Sequence, residues 1–472
     1  MRNFNHGRIR QQIRFLRCQF IQDANLPFSD VLSNATLTQA LAAINVCWKD
    51  RIYSPLVTLW VFLGQVMSAD HSCRSAVARL IAHRISNGQS PCSSATGAYC
   101  QARKRLPEKF FSEVACQTGR ALETNVKSNW LWKGRHVYMF DGATVSMPDT
   151  EANQQAYPQP GTQKPGLGFP LARIAAVFSL SCGAVLDLAI ARYAGKGQGE
   201  LSLLHTLWHL FKAGDVLLTD RLMCSWTEMA MLKARGVDSV SRLSSHRKAD
   251  FRRGKRLAKG DHIVKWPKRT KPRAMDRETF KSLPEFLTIR EVRVRVSQRG
   301  FRTRNIIVVT TILDTDEFTK CDLAELYLAR WNNELDLRSL KQTMQMDILR
   351  CKTPELVRKE IWTHILAYNL IRTIIAQSAV RHDVTPRSIS FKTAIQILEA
   401  FKPIIAIQGR CNSTLRKILY GQLLDAIAVH KVGNRPNRFE PRRIKRKKGA
   451  YDWLTKPRDE MKRHILKQLN KI

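Results

Sequence analysis

The sequence predicts an α/β protein in which a mixed sheet is flanked by helical regions. Three observations point there. Between His136 and Leu243, short apolar strands alternate with helical stretches, the pattern of a sheet covered by helices. Residues before about 130 show helical spacing, and two long helical patterns follow Cys321. A Lys/Arg-rich segment of β character, punctuated by Gly and Pro, divides the α/β pattern in two.

Taken in order, Tyr53–Ala69 (YSPLVTLWVFLGQVMSA) reads as a buried helix, and SCRSAVARLIAHRIS as a helix that turns basic. SNGQSPCSSATG is a break, after which YCQARKRLPEKFFSEVACQTGRALE resumes a basic helical pattern. Helix, turn and basic helix suit a module that binds DNA ends, although a basic helix is as often a solvated face.

From His136, HVYMFDGATVSM reads as a strand ending in Asp141. ARIAAVFSL and AVLDLAIARYAG read as two more, joined by a Ser-Cys-Gly turn at 181–183. ELSLLHTLWHLF is helical, DVLLTD is a short strand ending in Asp220, SWTEMAMLKARG is a helix stopped by Gly236, and VDSVSRL is a strand. REVRVRV and RNIIVVTTIL around SQRGFRT look like a hairpin. CDLAELYLARWNNELDLRSLKQTM and TPELVRKEIWTHILAYNLIRTIIAQSA are two long helices. From about Val384 the chain is helical and then basic, with RRIKRKK its densest run.

Charge narrows the function. The chain has 472 residues, 78 Lys+Arg and 39 Asp+Glu, for a net charge of +39, while 44% of residues are hydrophobic. Such a chain can bury cores and is no disordered polycation, yet its self-repulsion calls for a polyanionic partner, nucleic acid first. The surplus is uneven: residues 242–304 hold 21 basic against 6 acidic residues, and 431–472 hold 15 against 4. The longest uncharged run falls short of the ~20 residues a membrane span needs. The basic N-terminus has no apolar signal core, so a soluble, cytoplasmic protein is expected. Eleven irregularly spaced cysteines without a Cys-x-x-Cys pair read as reduced structural thiols.

Three places carry candidate chemistry. Asp141 closes VYMFD and Asp220 closes DVLLTD, and functional groups gather beyond the carboxyl ends of strands in such sheets. Clustered carboxylates repel unless a cation intervenes, with Mg²⁺ the usual choice when the partner is phosphate. Either aspartate alone is also an ordinary turn residue. The third place is the helix YLARWNNELDLRSLK. At about 100° per residue, Tyr327, Arg330, Glu334 and Lys341 share an arc of about 60°, with Arg338 and Trp331 near its edge. Asp336, Asp322 and Glu325 fall on the opposite face, so Glu334 is the acid grouped with the cations, able to meet a metal while they hold phosphate. A helix laced with exposed charge pairs has the same spacing.

The spacing Tyr-x2-Arg-x3-Glu-x6-Lys resembles the signature of the insertion-sequence-four family of DDE transposases. DGATVSMPDTEANQQAYPQP around the first acid, GKGQGELSLL before the second and VLLTDR carrying it are similar to the family as well. The resemblance runs from about Val137 to Ala376. It implies a ribonuclease H-like catalytic core interrupted by a β-rich insertion, in agreement with the basic segment read independently at 245–313. The expected layout is a helical DNA-binding domain at 1–130, the core at 131–244 and 314–383 around the insertion, and a helical, basic C-terminal region at 384–472.

The resemblance also implies that Asp141, Asp220 and Glu334 form a catalytic, metal-binding triad. It implies that Tyr327, Arg330 and Lys341 contact DNA phosphates, with Trp331 and Arg338 beside them. The implied reaction is two-metal phosphoryl transfer with Mg²⁺, for which Mn²⁺ substitutes, cutting transposon ends at terminal inverted repeats and joining them to target DNA. Members of the family cleave through a DNA hairpin with a base flipped onto an aromatic. Trp331, and in the insertion Trp266, are the residues available for that stacking. A homodimer on paired ends and a place at the bacterial nucleoid are further family expectations. The competing readings are a nuclease with the same core that does not join DNA, a DNA-binding relative with a vestigial triad, and a membrane-surface protein, for which no amphipathic aromatic helix speaks.

Overall fold

In a computed structural model of the chain, the described residues are 31–42, 51–272, 275–295, 305–408, 412–433 and 456–469, with isolated positions 12, 16, 27 and 28. The RRIKRKK run, the first ten residues and the SQRGFRT tip lie outside them.

The described residues before 130 form the helices α1 (Asn34–Ala42), α2 (Pro55–Val66), α3 (Cys73–Ser86), α4 (Gly97–Arg105) and α5 (Glu108–Thr124). Helix α2 starts on Ser54, whose side chain accepts from the Val57 N–H, followed by Pro55 in the first turn, both favoured helix openings. The run that was too short to span a membrane is this helix, buried along most of its length, and no described helix is long and apolar enough to cross one.

A nine-stranded mixed sheet follows, ordered β3-β2-β1-β4-β5-β9-β8-β7-β6. Its strands are β1 (Val137–Ser146), β2 (Leu171–Ser179), β3 (Val185–Arg192), β4 (Val216–Thr219), β5 (Asp238–Arg242), β6 (Lys255–Ala258), β7 (Asp261–Pro267), β8 (Phe286–Arg295) and β9 (Asn305–Thr310). Strands β1, β2 and β3 are antiparallel neighbours, and β1, β4 and β5 are parallel. Helices α6 (Glu151–Ala156), α7 (Glu200–Thr206), α8 (Trp226–Ala234) and α9 (Arg277–Ser282) connect them. Past α8, Gly236 turns the chain at φ +75°, where glycine escapes the Cβ clash.

Both faces of the sheet are buried at the start of β1. Val137 and Met139 pack with the N-terminal helices, while Tyr138 and Phe140 face a second core with Leu203, Leu217 and Leu232, as the two-residue period of a strand requires. The basic segment does not stand apart as a sheet of its own: β9 pairs antiparallel with β5, so β6–β9 extend the central sheet. Its apolar side closes over α8, where Trp226, Met229, Trp266 and Ile289 form a third core.

Helices α10 (Lys320–Ala329), α11 (Trp331–Arg338), α12 (Pro354–Arg381), α13 (Phe391–Gln408), α14 (Ser413–Val429) and α15 (Arg458–Leu469) complete the chain. The single helix expected over 321–344 is interrupted at Arg330 and passes into a π-helical turn at Ser339–Thr343. After that turn the chain meets β1: the Ser146 N–H donates to Asp347 O at 2.9 Å, and the Leu349 N–H to Ser146 O at 2.8 Å. The C-terminal side of the α11 region is thereby tied to the strand that carries Asp141.

Candidate active site

Asp141 does not end its strand. β1 continues to Ser146 because its antiparallel partner β2 follows it through Ser146↔Leu171. On the other side, parallel pairing with β4 stops at Met139↔Leu218. Carrying that register two residues on places Asp141 opposite Asp220, which follows the last residue of β4. The two aspartates therefore flank the point where β1 and β4 part, a site open to ligand at the carboxyl end of parallel strands. Asp141 accepts from its neighbour's Gly142 N–H at 2.8 Å, and Asp220 accepts from the Leu222 N–H at 2.8 Å.

Beside Asp141 lies an open cavity of about 500 Å³, lined among others by Asp141, Arg173, Glu200, Glu334, Arg338 and Lys341, while Asp220, Tyr327 and Arg330 are not in its lining. Glu334, Arg338 and Lys341 come from α11 and the π-turn after it, so the helical wheel grouped them correctly across an irregular helix. The Arg330 guanidinium donates to Glu334 Oε1 at 3.1 Å, one turn along. Arg338 donates through Nε to Gln342 Oε1 at 3.2 Å.

The electrostatics are those of crowded, partly desolvated charges. Burial pushes Asp141 up to about 6, with the nearby charges of Glu200 and Asp220 acting the same way and the Gly142 N–H and Arg330 opposing. Tyr327 is buried and its phenol is raised by that burial. Burial works against the Arg330 charge, but Tyr327 and Glu334 outweigh it and hold the guanidinium above its usual value. Arg242, at the end of β5, is lowered first by burial and then by Arg221 and Arg330. The Arg330 and Arg242 guanidiniums thus gather near Tyr327, with Arg221 beside Arg242, an arrangement that favours an anion.

All-oxygen donors suit hard divalent cations such as Mg²⁺ and Mn²⁺. Among the described residues, no three His, Cys, Asp or Glu side chains already stand close enough to hold an ion. Glu334 is engaged by Arg330 and shares its cavity with Asp141. The donors on offer are carboxylate oxygens, the chemistry that a hard divalent ion takes, with Asp141 raised first by burial and then by Glu200 and Asp220.

Trp331 is 43% exposed at the start of α11. Trp266 is placed differently from the stacking role expected of it. It is 5% exposed, its indole N–H donates to Glu291 Oε1 at 3.0 Å, and Arg247 covers its ring at 3.8 Å. That is a core tryptophan, because both its face and its polar edge are spent inside the insertion. Sequence reading also passed over Arg173, Glu200, Arg221 and Arg242. Arg221 directly follows Asp220 and Glu200 opens a helix after GKGQG, but β-pairing and helix placement bring the others in, and no local spacing signals that.

Residues 132–370 match the family model described as Transposase DDE domain. The chain is 26% identical over 435 residues to the transposase InsG for insertion sequence element IS4 of Escherichia coli (strain K12), covering 89% of this chain and 92% of that protein. It is 38% identical over 82 residues to the transposase for insertion sequence element IS421 of Escherichia coli, covering 17% of this chain and 21% of that one. Among solved structures, a cryo-EM structure of a piggyBac transposase synaptic complex with hairpin DNA aligns at a TM-score of 0.43 and 8% identity, over 88% of this chain and 85% of that chain. A likeness of that strength adds nothing to the site.

Proposed function

Because the chain belongs to the DDE transposases of the insertion-sequence-four family, we propose that it cuts the ends of its element and joins them to target DNA with Asp141, Asp220 and Glu334 as the metal-binding catalytic triad. The observations that support this reading are the register of β1 and β4, which carried two residues on sets Asp141 opposite Asp220, and the cavity that Asp141 shares with Glu334. The part of the sheet from β3 to β5 with its helices is read as a ribonuclease H-like core, and β6–β9 as the insertion. The helices before about 130 and after 384 are read as DNA-binding regions, and the working form as a homodimer on paired ends in the bacterial cytoplasm, at the nucleoid.

Asp141, Asp220 and Glu334 would hold a pair of Mg²⁺ or Mn²⁺ ions. When bound, these supply Lewis acidity at the scissile phosphate and lower the pKa of the attacking water or 3′-hydroxyl. The chain's own residues do the rest. Arg330, paired with Glu334 in this structure, would hold a DNA phosphate. Lys341 and Arg338 face the same cavity and hold the backbone by charge. Tyr327, buried beside Arg330 and Arg242, fixes the guanidinium and offers its hydroxyl to phosphate. Trp331, exposed at the helix start, presents a ring to a displaced base, worth about 1–3 kcal/mol.

The test is a cleavage and joining assay on the DNA flanking the coding sequence, with Mg²⁺ or EDTA, using wild type, D220A and E334Q. Joined product that requires metal and disappears in both variants is expected. Cleavage by D220A at the wild-type rate would remove the triad, and hydrolysis without joining when a 3′-hydroxyl donor is supplied would favour a nuclease.

A further inference from the structure

We propose, on the reading above, that Arg173 is a further DNA-phosphate contact in this cavity and that Glu200 is the positioning residue that holds it there. Arg173 lies on β2 directly opposite Thr144 of β1, three residues beyond Asp141, and lines the cavity that Lys341 and Arg338 enter from the helical side. A phosphate there would meet cations from two directions, the sheet and the helix.

The guanidinium is fixed rather than loose. One nitrogen meets Glu200 Oε1 at 3.2 Å, another donates to Tyr193 O at 3.1 Å, and the group lies 5.4 Å from the Tyr193 ring centre. Its Nε is buried and makes no hydrogen bond. A buried donor left unmet is unfavourable, so the position is not optimised for packing alone.

Glu200 is itself tightly placed. It is the first residue of α7, where the helix dipole favours a carboxylate, and it rests against Gly142. A Cβ at Gly142 would stand 2.8 Å from Glu200 Oε1, so the glycine after Asp141 is the room in which this carboxylate sits. The cavity in the free protein is charge-balanced, with Asp141, Glu200 and Glu334 facing Arg173, Arg338 and Lys341. The three bases stand on the sheet and helical sides of the opening, where an anion entering the cavity meets them. DNA phosphate is the anion that this family's reaction brings.

The experiment uses the full chain and a fluorescein-labelled duplex carrying the DNA that flanks the coding sequence. Binding is measured by anisotropy in EDTA across a salt series for wild type, R173Q and R173K, with melting temperature as the fold control. R173Q should raise Kd roughly 5- to 10-fold and flatten the slope of log Kd against log salt by about 0.9, the loss of one phosphate contact. R173K should keep the slope. A wild-type slope in R173Q overturns the phosphate contact.

Should R173Q melt well below wild type, R173K decides instead. Its cleavage at saturating DNA should fall about tenfold with binding unchanged, since a lysine cannot keep both the Glu200 and Tyr193 bonds, and full activity would overturn the claim. E200Q, read with metal present, should lower kcat about tenfold while leaving Kd for DNA within threefold, and an unchanged kcat would remove Glu200 from the role. Because DNA binding is read without metal, its result is independent of whether the triad carries the chemistry, which D220A decides separately.

Discussion

Arg387 donates from one guanidinium nitrogen to both carboxylate oxygens of Asp336, at 2.8 and 2.7 Å. The same arginine donates through Nε to Leu180 O at 2.7 Å and also bonds Ser179 O. It therefore fastens α11, two residues past Glu334, to the end of β2. Asp336 is fully buried and also receives Arg372 and, at 3.0 Å, the Tyr368 hydroxyl. Glu334 faces the cavity because Asp336 is anchored on the other side of the helix.

Removing the anchor's charge should therefore unsettle the fold and the site together. D336N leaves the buried Arg372 and the half-buried Arg387 without their counter-ion, a loss of about 3–5 kcal/mol. Urea unfolding should show that drop, and cleavage should fall although Asp336 lies outside the cavity. A stability change under 1 kcal/mol would show that the arginines find other partners.

The converse holds at Asp141. Its carboxyl is raised to about 6 by burial and by Glu200 and Asp220, so the folded chain holds the proton better than the unfolded chain does. Stability from that proton is present below the unfolded value near 3.8 and is lost as pH rises through about 6. At pH 7.5 the ionised form costs roughly 3 kcal/mol. D141N keeps an acceptor for the Gly142 N–H without the charge. In EDTA at pH 7.5 it should raise the unfolding free energy by about 1–3 kcal/mol while abolishing cleavage. A variant less stable than wild type would mean that the crowding is relieved by something else.

The contrast between Glu334 and Asp336 was legible in the sequence, since a 3.6-residue period alone puts them on opposite faces. So was the grouping of Arg338 and Lys341 with Glu334, despite the π-turn at 339–343. The reach of β1 past Asp141 was not, because it depends on β2, a partner some thirty residues away. Nor were Arg173 and Glu200, which share nothing local and meet only through the sheet and α7. Charge counting likewise could not show that Arg103, in the basic helix α4, is buried with its guanidinium against Gln65 and three cysteine sulfurs. Composition reports how many cations there are, and burial decides which ones remain for DNA.

Trp266 makes that distinction testable. Its indole N–H serves Glu291, whose other oxygen meets His262 at 2.9 Å, so W266F should cost about 1–3 kcal/mol by leaving a buried carboxylate short of a donor. DNA affinity at a temperature where the variant is folded should stay within twofold of wild type. A tenfold loss of affinity without loss of stability would restore the tryptophan to the DNA surface.

The acid side of the stability curve should be governed in part by His364. It lies fully inside α12, with Nδ1 at 2.9 Å from Glu360 O, Nε2 without a partner, and the His71 ring stacked at 5.8 Å. Burial lowers its pKa to about 4, and His71 acts in the same direction. The unfolded chain, titrating near 6.5, binds more protons than the folded one between those values. This contribution is therefore complete above pH 6.5 and is lost as pH falls toward 4, by about 2 kcal/mol at pH 5. Urea midpoints of wild type and H364Q at pH 7.5 and pH 5 give the check. The advantage of wild type over H364Q should shrink by about 2 kcal/mol on acidification, because glutamine has no proton to gain. Parallel losses in the two proteins would mean that His364 is already protonated in the fold, or that other groups carry the acid limb.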